Sequence, residues 1–312
     1  MFVKKIELTR VIRGPATLIL IFGFLWQQLI YPSLDPHVHF IFCDIGQGDG
    51  LLIRYKRHEI IVDGGPDPSL MHHCLAEYLP LFSRELDALV ATHADQDHIG
   101  GLAELLEHYQ VLSVYTSSIG KKTVTFQEFR ARVLEEKTTG MQLHIPITGE
   151  RIAFFNKIQA LVLWPSRKST EQNIFNSRLS EEQLQDIYAQ QEENTESINN
   201  EAIALFLTID RVRFLLMSDL EEPAELALLQ QHLLSRVDVL KVAHHGSKTS
   251  SSSLFLEKVL PEIAVISSGR ENHYGHPHRE ALERLQQVIK HLFRTDLTGT
   301  IELHTDGRSV MW

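Results

Sequence analysis

The stretch Ala91-Thr-His-Ala-Asp-Gln-Asp-His-Ile-Gly-Gly-Leu102 decides how this chain folds and what it binds. It follows an apolar run at residues 86–90 and precedes a helical pattern, so it lies where a strand ends. Imidazole nitrogen and carboxylate oxygen are the ligands that hold zinc, manganese or iron. Without a cation, carboxylates this close repel each other, so the stretch predicts a metal site rather than a solvated turn. Its four candidate ligands are His93, Asp95, Asp97 and His98.

The overall composition is that of a folded protein with no general affinity for polyanions. Of 312 residues, 43% are hydrophobic and 22% are charged, and the formal net charge is −10. This balance argues against disorder and against a protein that coats nucleic acid without specificity. A nuclease whose metal ions hold the scissile phosphate is compatible with it. Cys43 lies in an apolar strand and is most simply a small buried hydrophobe, with a disulfide to Cys74 as the alternative.

Residues 1–36 have the layout of a membrane anchor followed by a short spacer. Basic residues precede an apolar core at residues 15–26, and the apolar character continues to Tyr31. Because no small-residue cleavage site follows the core, an uncleaved anchor is favoured. The positive charges before it predict that the N-terminus stays in the cytoplasm and the domain lies outside. A cleaved signal peptide with secretion, or a buried N-terminal helix, is the alternative.

Residues 37–312 form the predicted domain, in which strands followed by helices occur twice. The first half begins with a meander of three strands from Val38, and the second contains a hairpin that ends before Asp219. Such a repeat predicts a mixed α/β (α+β) fold of two sheets packed face to face with helices outside. Residues 166–200 are rich in Gln, Glu, Asn and Ser and are predicted to be an exposed insertion. Residues 278–291 are predicted to form a helix.

The metal stretch and four other segments resemble one known family. The stretch looks like the second motif of the metallo-β-lactamase superfamily, in which a histidine more commonly stands in place of Asp95. The resemblance implies an αββα sandwich with two metal ions at the edge of the two sheets. The other segments are similar, in order and spacing, to the hydrolase domain of ComEC competence proteins: Asp44-Ile-Gly-Gln-Gly-Asp-Gly50, Ile61-Val-Asp-Gly-Gly65, Lys241-Val-Ala-His-His-Gly-Ser247 and Asn272-His-Tyr-Gly-His-Pro277.

The resemblance also implies which residues hold the two ions. Asp219 is the implied bridging carboxylate, and a helix N-cap before Pro223 is its alternative role. Ser218 replaces the family's glycine before this aspartate, which puts the local turn in question. The remaining implied ligands are His93 and Asp95 for the first ion, and Asp97 and His98 for the second.

Three histidines complete the implied site. Strand alternation favours His245 over His244 as a metal ligand, and His244 then faces the substrate. His276 is predicted to be a ligand or a proton donor to the leaving group. The family's third-motif histidine has no counterpart near Trp164-Pro165, so one ion is expected to be weakly held. Occupancy by a single ion is the alternative.

Seven further polar residues receive supporting roles. Four are predicted to orient the ligands, and Asp63 is the first choice among them to contact a ligand imidazole. These four are Asp44, Gln47, Asp49 and Asp63. Three are predicted to donate hydrogen bonds to a phosphate oxygen, and they are Ser247, Thr249 and Ser250.

The implied activity is metal-assisted hydrolysis in which Asp97, His244 and His276 take part. The two divalent ions are predicted to be zinc or manganese, and the oxygen-rich ligand set favours manganese and a charged phosphodiester. The leading hypothesis is a phosphodiesterase or nuclease related to DNA uptake, membrane-anchored, with DNA as its partner. The alternatives are a hydrolase of another cell-surface ester, such as a phosphorylcholine ester, or of a lactone, and a non-catalytic binding protein.

Overall fold

Two β-sheets lie face to face, and helices cover the outer face of each. The computed structural model describes residues 15–26, 30–80, 83–165, 174–175, 179–194 and 198–312. The strands of these residues are β1 (Val38–Phe42), β2 (Gly50–Tyr55), β3 (His58–Gly64), β4 (Glu85–Ala91), β5 (Gln110–Thr116), β6 (Gln142–His144), β7 (Arg151–Phe154), β8 (Ile158–Trp164), β9 (Ala204–Ile209), β10 (Val212–Leu216), β11 (Val239–Lys241), β12 (Ile263–Ile266), β13 (His291–Arg294), β14 (Ile301–Thr305) and β15 (Val310–Met311). The helices are α1 (Pro15–Leu25), α2 (Tyr31–Leu34), α3 (Pro68–Tyr78), α4 (Gln96–Ile99), α5 (Leu102–His108), α6 (Val124–Thr139), α7 (Glu181–Asn194), α8 (Glu222–Gln230), α9 (Ser253–Val259), α10 (Arg279–Gln286) and α11 (Thr295–Thr298).

Each sheet combines antiparallel and parallel pairs. The first has the strand order β15-β14-β1-β2-β3-β4-β5-β6 and the second β13-β12-β11-β10-β9-β8-β7. In the first sheet, β1 to β3 form the predicted antiparallel meander, and β3 to β6 are parallel. In the second, β10 to β13 are parallel. Because parallel neighbours end at the same edge, the loops after β3 and β4, and those after β10 and β11, lie side by side.

Three apolar layers hold the sandwich together. Alternate residues of β1 face different layers, with Phe40 against the second sheet and Ile41 against the helices. Between the sheets, the Phe40 ring stacks on Phe214 at a centroid distance of 3.8 Å. Side chains of α3, α5 and α6 pack on the outer face of the first sheet, and those of α8, α9 and α10 on the second. This layering confirms the predicted αββα arrangement.

A disulfide joins the end of the first strand to helix α3. Cys43 and Cys74 are bonded and 31 residues apart, so the interpretation of Cys43 as a free buried hydrophobe is wrong and the alternative is correct. Both residues are buried in the layer between the first sheet and its helices. A loop of this length restricts the unfolded chain and stabilises the fold by about 3–4 kcal/mol.

Two predictions about individual segments differ from the structure or lie partly beyond it. Ile174, Phe175 and Tyr188 are buried against the first sheet's helices, so the exposed insertion predicted at residues 166–200 is wrong at these positions. Residues 166–173, 176–178 and 195–197 lie outside the described residues. The helix predicted at residues 278–291 ends at Gln286, because the chain then forms the edge strand β13.

The predicted anchor falls only partly on described residues. Helix α1 covers 11 residues, and residues 1–14 and 27–29 lie outside the description. Within the part of the chain that the structure describes, we find no helix long and apolar enough to cross a membrane. Several large side chains of α1 are exposed, among them Leu20 and Phe22. The membrane anchor therefore stays a prediction.

A buried carboxyl on β3 makes stability depend on pH. Glu59 is 1% exposed, and burial, with a smaller contribution from Asp87, raises its pKa to about 7 despite a hydrogen bond of 2.5 Å from the Ser83 hydroxyl. The folded state thus holds this proton more tightly than the unfolded chain, whose glutamate titrates near about 4.3. The protonated Glu59 carboxyl therefore stabilises the folded state at acidic pH, and this stabilisation is lost as the pH rises through about 7.

We expect Glu59→Gln to stabilise the protein at pH 8 and to have little effect at pH 4.5. The amide stays neutral, so the variant avoids burying a charge at high pH, which is worth about 1–3 kcal/mol. Thermal melts at the two pH values measure the difference. The exposed Glu85→Gln is the control, and an equal change in melting temperature at both pH values would contradict the assignment.

Candidate metal centre

Loops from both sheets bring the predicted ligands to one edge of the sandwich. The metal stretch follows β4, and Asp63 of β3 holds it in place. Asp63 accepts hydrogen bonds from the Thr92 amide at 2.8 Å and from the Thr92 hydroxyl at 2.7 Å. Asp219 follows β10 and His245 follows β11, whose parallel pairing places the two residues next to each other. The site therefore forms where strands of both sheets end.

Four side chains converge on one point. One ligand atom each from Asp97, His98, Asp219 and His245 lies within 4.8 Å of the others. Asp219 Oδ2 is 3.3 Å from His98 Nε2 and 3.5 Å from His245 Nε2. His245 Nε2 is also 3.3 Å from Asp97 Oδ2. The structure thus brings together four of the six residues predicted as metal ligands, and His245 rather than His244 is among them.

The two imidazoles of this cluster are oriented from behind. His98 Nδ1 lies 2.8 Å from Asp63 Oδ2, and His245 Nδ1 lies 3.0 Å from the Ser267 carbonyl oxygen. These contacts point both Nε2 atoms into the cluster. Among the described residues, His93 Nε2, His98 Nε2, His245 Nε2 and Asp219 Oδ1 are buried without a hydrogen-bond partner. Such a set of unpartnered nitrogen and oxygen donors fits a divalent cation.

Electrostatics show that this point favours positive charge. Burial alone raises the pKa of Asp219, but the neighbouring His245 and His98 bring it well below its ordinary value. Conversely, burial lowers the pKa of His98 and His245, but the surrounding carboxylates raise both well above the ordinary value. Buried carboxylates need a compensating charge, and either protons on these imidazoles or a metal cation can supply it.

His93 and Asp95, the two ligands predicted for the first ion, do not belong to this cluster. His93 Nε2 is 4.0 Å from Asp219 Oδ2, and burial together with the nearby His98 lowers the pKa of His93. Asp95 is outside the four-residue cluster, and its carboxylate forms an ion pair with Lys121. The described structure therefore gathers the predicted ligands of the second ion and leaves those of the first incomplete.

His244 and His276 lie beside the cluster and are partly exposed. His244 Nε2 is 3.9 Å from Asp219 Oδ2, and the His244 and His276 ring centroids are 5.4 Å apart. The His276 backbone is held by Asn272, whose side chain donates to the His276 carbonyl at 2.6 Å and accepts from its amide at 2.9 Å. Burial and the neighbouring histidines His245, His244 and His278 lower the pKa of His276 to about 4. A neutral imidazole at this place suits a ligand better than an acid, and its role stays a prediction.

Of the four residues predicted to orient the ligands, two contact a ligand histidine and two do not. Asp63 contacts His98 as expected, and Asp49 Oδ1 lies 3.3 Å from His245 Nδ1. Asp44 is exposed and contacts its own loop, where it accepts from the Gly46 amide. The Gln47 side chain accepts from the Gly269 amide at 3.2 Å and so connects two loops rather than reaching a ligand.

The serine-rich loop after His245 is occupied by its own hydrogen bonds. Ser247 Oγ lies 2.8 Å from Thr249 Oγ1, which donates to Glu221 at 2.8 Å. Ser250 is buried and donates to the Ala243 carbonyl at 2.9 Å. Phosphate binding by these hydroxyls stays a prediction that requires some of the bonds to exchange.

Left-handed backbone shapes the turns that carry the ligands. Asp63, Ser218, His244 and His245 have φ between 47° and 60°. For residues with a Cβ this conformation costs energy that the surrounding contacts must offset. Ser218 adopts it where the family has glycine, and its hydroxyl donates to Thr92 Oγ1 at 2.7 Å. Asp219 does not cap a helix, because α8 begins after Glu221, so the alternative role as an N-cap is wrong.

Sequence reasoning missed two lysines. Lys241 is 5% exposed, and its ammonium lies 2.8 Å and 2.9 Å from the two Asp49 oxygens, behind His245. The sequence does contain a signal for Lys241, because a lysine stands within the largely apolar strand at residues 237–243. For Lys121, which pairs with Asp95, no such signal exists, because its partner is 26 residues away on another element.

Comparison with known proteins agrees with this fold. Residues 43–165 match the Metallo-beta-lactamase superfamily. A solved structure, the metallo-beta-lactamase fold protein YhfI from Bacillus subtilis, is similar with a TM-score of 0.51 and 14% identity, covering 85% of this chain and 99% of that one. Identity this low supports the fold alone. The layers and the family match together show a metallo-β-lactamase fold.

Curated relatives indicate a more specific group among the proteins with this fold. ComE operon protein 3 of Bacillus subtilis (strain 168) is 28% identical over 296 residues, which is 89% of this chain and 34% of the relative. Competence protein ComA of Neisseria gonorrhoeae is 27% identical over 262 residues, 83% of this chain and 31% of the relative. The chain thus spans about a third of the length of these relatives. These matches confirm the resemblance to ComEC-like competence proteins.

Proposed function

We propose that this protein is a metal-dependent phosphodiesterase that cleaves nucleic acid. The observation that carries the proposal is the largely buried cluster of Asp97, His98, Asp219 and His245, with imidazole nitrogens pointing at one common centre. The similarity to competence proteins supports DNA as the substrate. Two of the four cluster residues are carboxylates and two are histidines, a set that suits zinc or manganese, and a cation held there would attract an anionic substrate.

The chain's own residues would divide the work as follows. Asp97, His98, Asp219 and His245 would hold a divalent cation, and Asp63 and Asp49 would keep the two imidazoles in place. Such a cation supplies positive charge that lowers the pKa of an attacking water and polarises the phosphoryl oxygen. His244 and His276 are partly exposed beside the cluster, where they would contact the substrate. In each of the two ligand histidines, the oxygen that contacts Nδ1 determines which ring nitrogen carries the proton.

The purified full-length protein, supplied with manganese or zinc, tests this proposal. We expect it to hydrolyse bis(p-nitrophenyl) phosphate and DNA, and single- and double-stranded DNA are compared to define the preference. Neutral esters and a lactone are run in parallel. Turnover of the neutral substrates with DNA left uncut would favour the alternative of an esterase or lactonase. No turnover of either class would contradict an enzymatic role.

We also propose that the domain acts outside the cytoplasm, attached by its N-terminal segment. The Cys43–Cys74 disulfide supports this, because such bonds persist mainly in oxidising compartments. The exposed apolar side chains of α1, such as Leu20 and Phe22, are of the kind that bind a lipid surface. Protease added to intact cells should digest the domain, and full protection until the cells are lysed would overturn the proposal.

A further inference from the structure

An unexpected ion pair occupies one end of the metal stretch. The Asp95 carboxylate pairs with the Lys121 ammonium, and each side chain is about a quarter exposed. Asp95 precedes helix α4 as its N-cap residue, yet its side chain makes no capping hydrogen bond. Aspartate at this position usually accepts from a backbone amide of the first turn. Here the carboxylate forgoes that bond and turns toward the lysine.

The loop that carries Lys121 is held firmly in place. It connects β5 to α6, and Thr123 caps α6 by accepting from the Phe126 amide at 3.3 Å. Gly120 lies so close to its neighbours that an added Cβ would come within 2.5 Å of the Phe126 ring and 2.7 Å of Ile174. The backbone on either side of Lys121 is therefore held by packing and by the helix cap.

The remaining donors near Asp95 are too few for a second ion. No described cluster of ligand atoms within 4.8 Å includes Asp95 or His93. At the place of a further histidine ligand the chain has Trp164-Pro165, which offers no donor that binds a metal. With Asp95 neutralised by a cation of the protein itself, His93 is left without the ligand that the sequence predicts beside it, and structural and catalytic zinc sites have at least three protein ligands.

We propose that the Lys121 ammonium takes the place of a second metal ion by neutralising Asp95, so that the protein holds a single divalent cation at Asp97, His98, Asp219 and His245. This inference rests on the proposed metal-dependent function of the same cluster. Removing the ammonium leaves Asp95 uncompensated near His93, and a second cation then becomes the most direct source of the missing charge.

Metal counting on the full-length protein tests the proposal without measuring activity. Each variant is equilibrated with manganese at a fixed free concentration, and bound metal per chain is determined by mass spectrometry. We expect about one ion in the wild type and in Lys122→Met, a neighbouring exposed lysine that serves as the control. We expect about two ions in Lys121→Met. The double variant Lys121→Met with Asp95→Asn should return to about one, and circular dichroism checks that each variant is folded.

The outcomes separate this inference from the proposed function. Two ions in the wild type, with phosphodiester turnover, would overturn the single-ion assignment and leave the function standing. An unchanged count of one in folded Lys121→Met would overturn the role of Lys121. No bound metal in any variant would overturn both the inference and the proposed function.

Discussion

Asp219→Asn is expected to abolish turnover while leaving the fold nearly intact. Asp219 is the carboxylate shared by His98, His245 and the predicted cation, and the amide keeps its shape but not its charge. Loss of an outer partner of a metal ligand usually costs about 10- to 100-fold, so loss of a central ligand charge should cost far more. Bound metal should fall together with activity on bis(p-nitrophenyl) phosphate.

Two comparisons make this result specific. Asp210→Asn removes the same charge from an exposed turn, at a residue whose left-handed φ asparagine tolerates, and should behave as the wild type. His276→Ala should leave measurable turnover, reduced on the order of 100-fold if the imidazole assists a proton transfer. Activity retained in Asp219→Asn would contradict the placement of the cation at this residue.

Lys241→Met is expected to be the most destabilising single change outside the apolar core. Asp49 and Lys241 are each 5% exposed and pair closely, and although burial alone raises the pKa of Asp49, the charges of Lys241 and His245 bring it well below its ordinary value. Methionine fills similar space but leaves the carboxylate without its counter-charge. Breaking a buried pair in this way costs about 3–5 kcal/mol, or roughly 10 °C in melting temperature for a chain of this size.

Chemical denaturation with a metal chelator present measures this effect apart from any loss of metal. The exposed Lys258→Met should change stability by less than about 0.5 kcal/mol. Adding Asp49→Asn to Lys241→Met should recover part of the loss, because no buried charge then remains unpaired. If Lys241→Met unfolds no more readily than Lys258→Met, the ion pair between Asp49 and Lys241 does not stabilise the fold.

The sequence predicts the cluster well because its signals are local. Asp97 and His98 adjoin each other after an apolar strand, and Asp219 and His245 each follow one, so strand ends alone indicate the site. The same reasoning could not separate Asp44 from Asp49, which flank one glycine-rich turn. Only the folded chain shows that Asp49 is buried against Lys241 and that Asp44 faces solvent.

The remaining differences arise from contacts between distant elements. The polar composition of residues 166–200 predicts exposure, yet Tyr188 packs its ring 6.2 Å from that of Phe126, which belongs to α6. Likewise, His291 continues the polar pattern of α10 in the sequence, but pairing with Ile263 of β12 makes it part of a strand. Local propensity cannot anticipate either result, because tertiary packing decides both.

The pairing of β1 with β14 sets the order in which this protein can be completed during synthesis. Val38 lies opposite Thr305, so one edge of the first strand waits for a partner about 270 residues later, or tens of seconds at ordinary ribosomal speeds. During that interval the apolar β1–β3 meander presents an open strand edge, which invites association with other chains. The free edge of β1 therefore stays open until β14 has been synthesised and can pair with it.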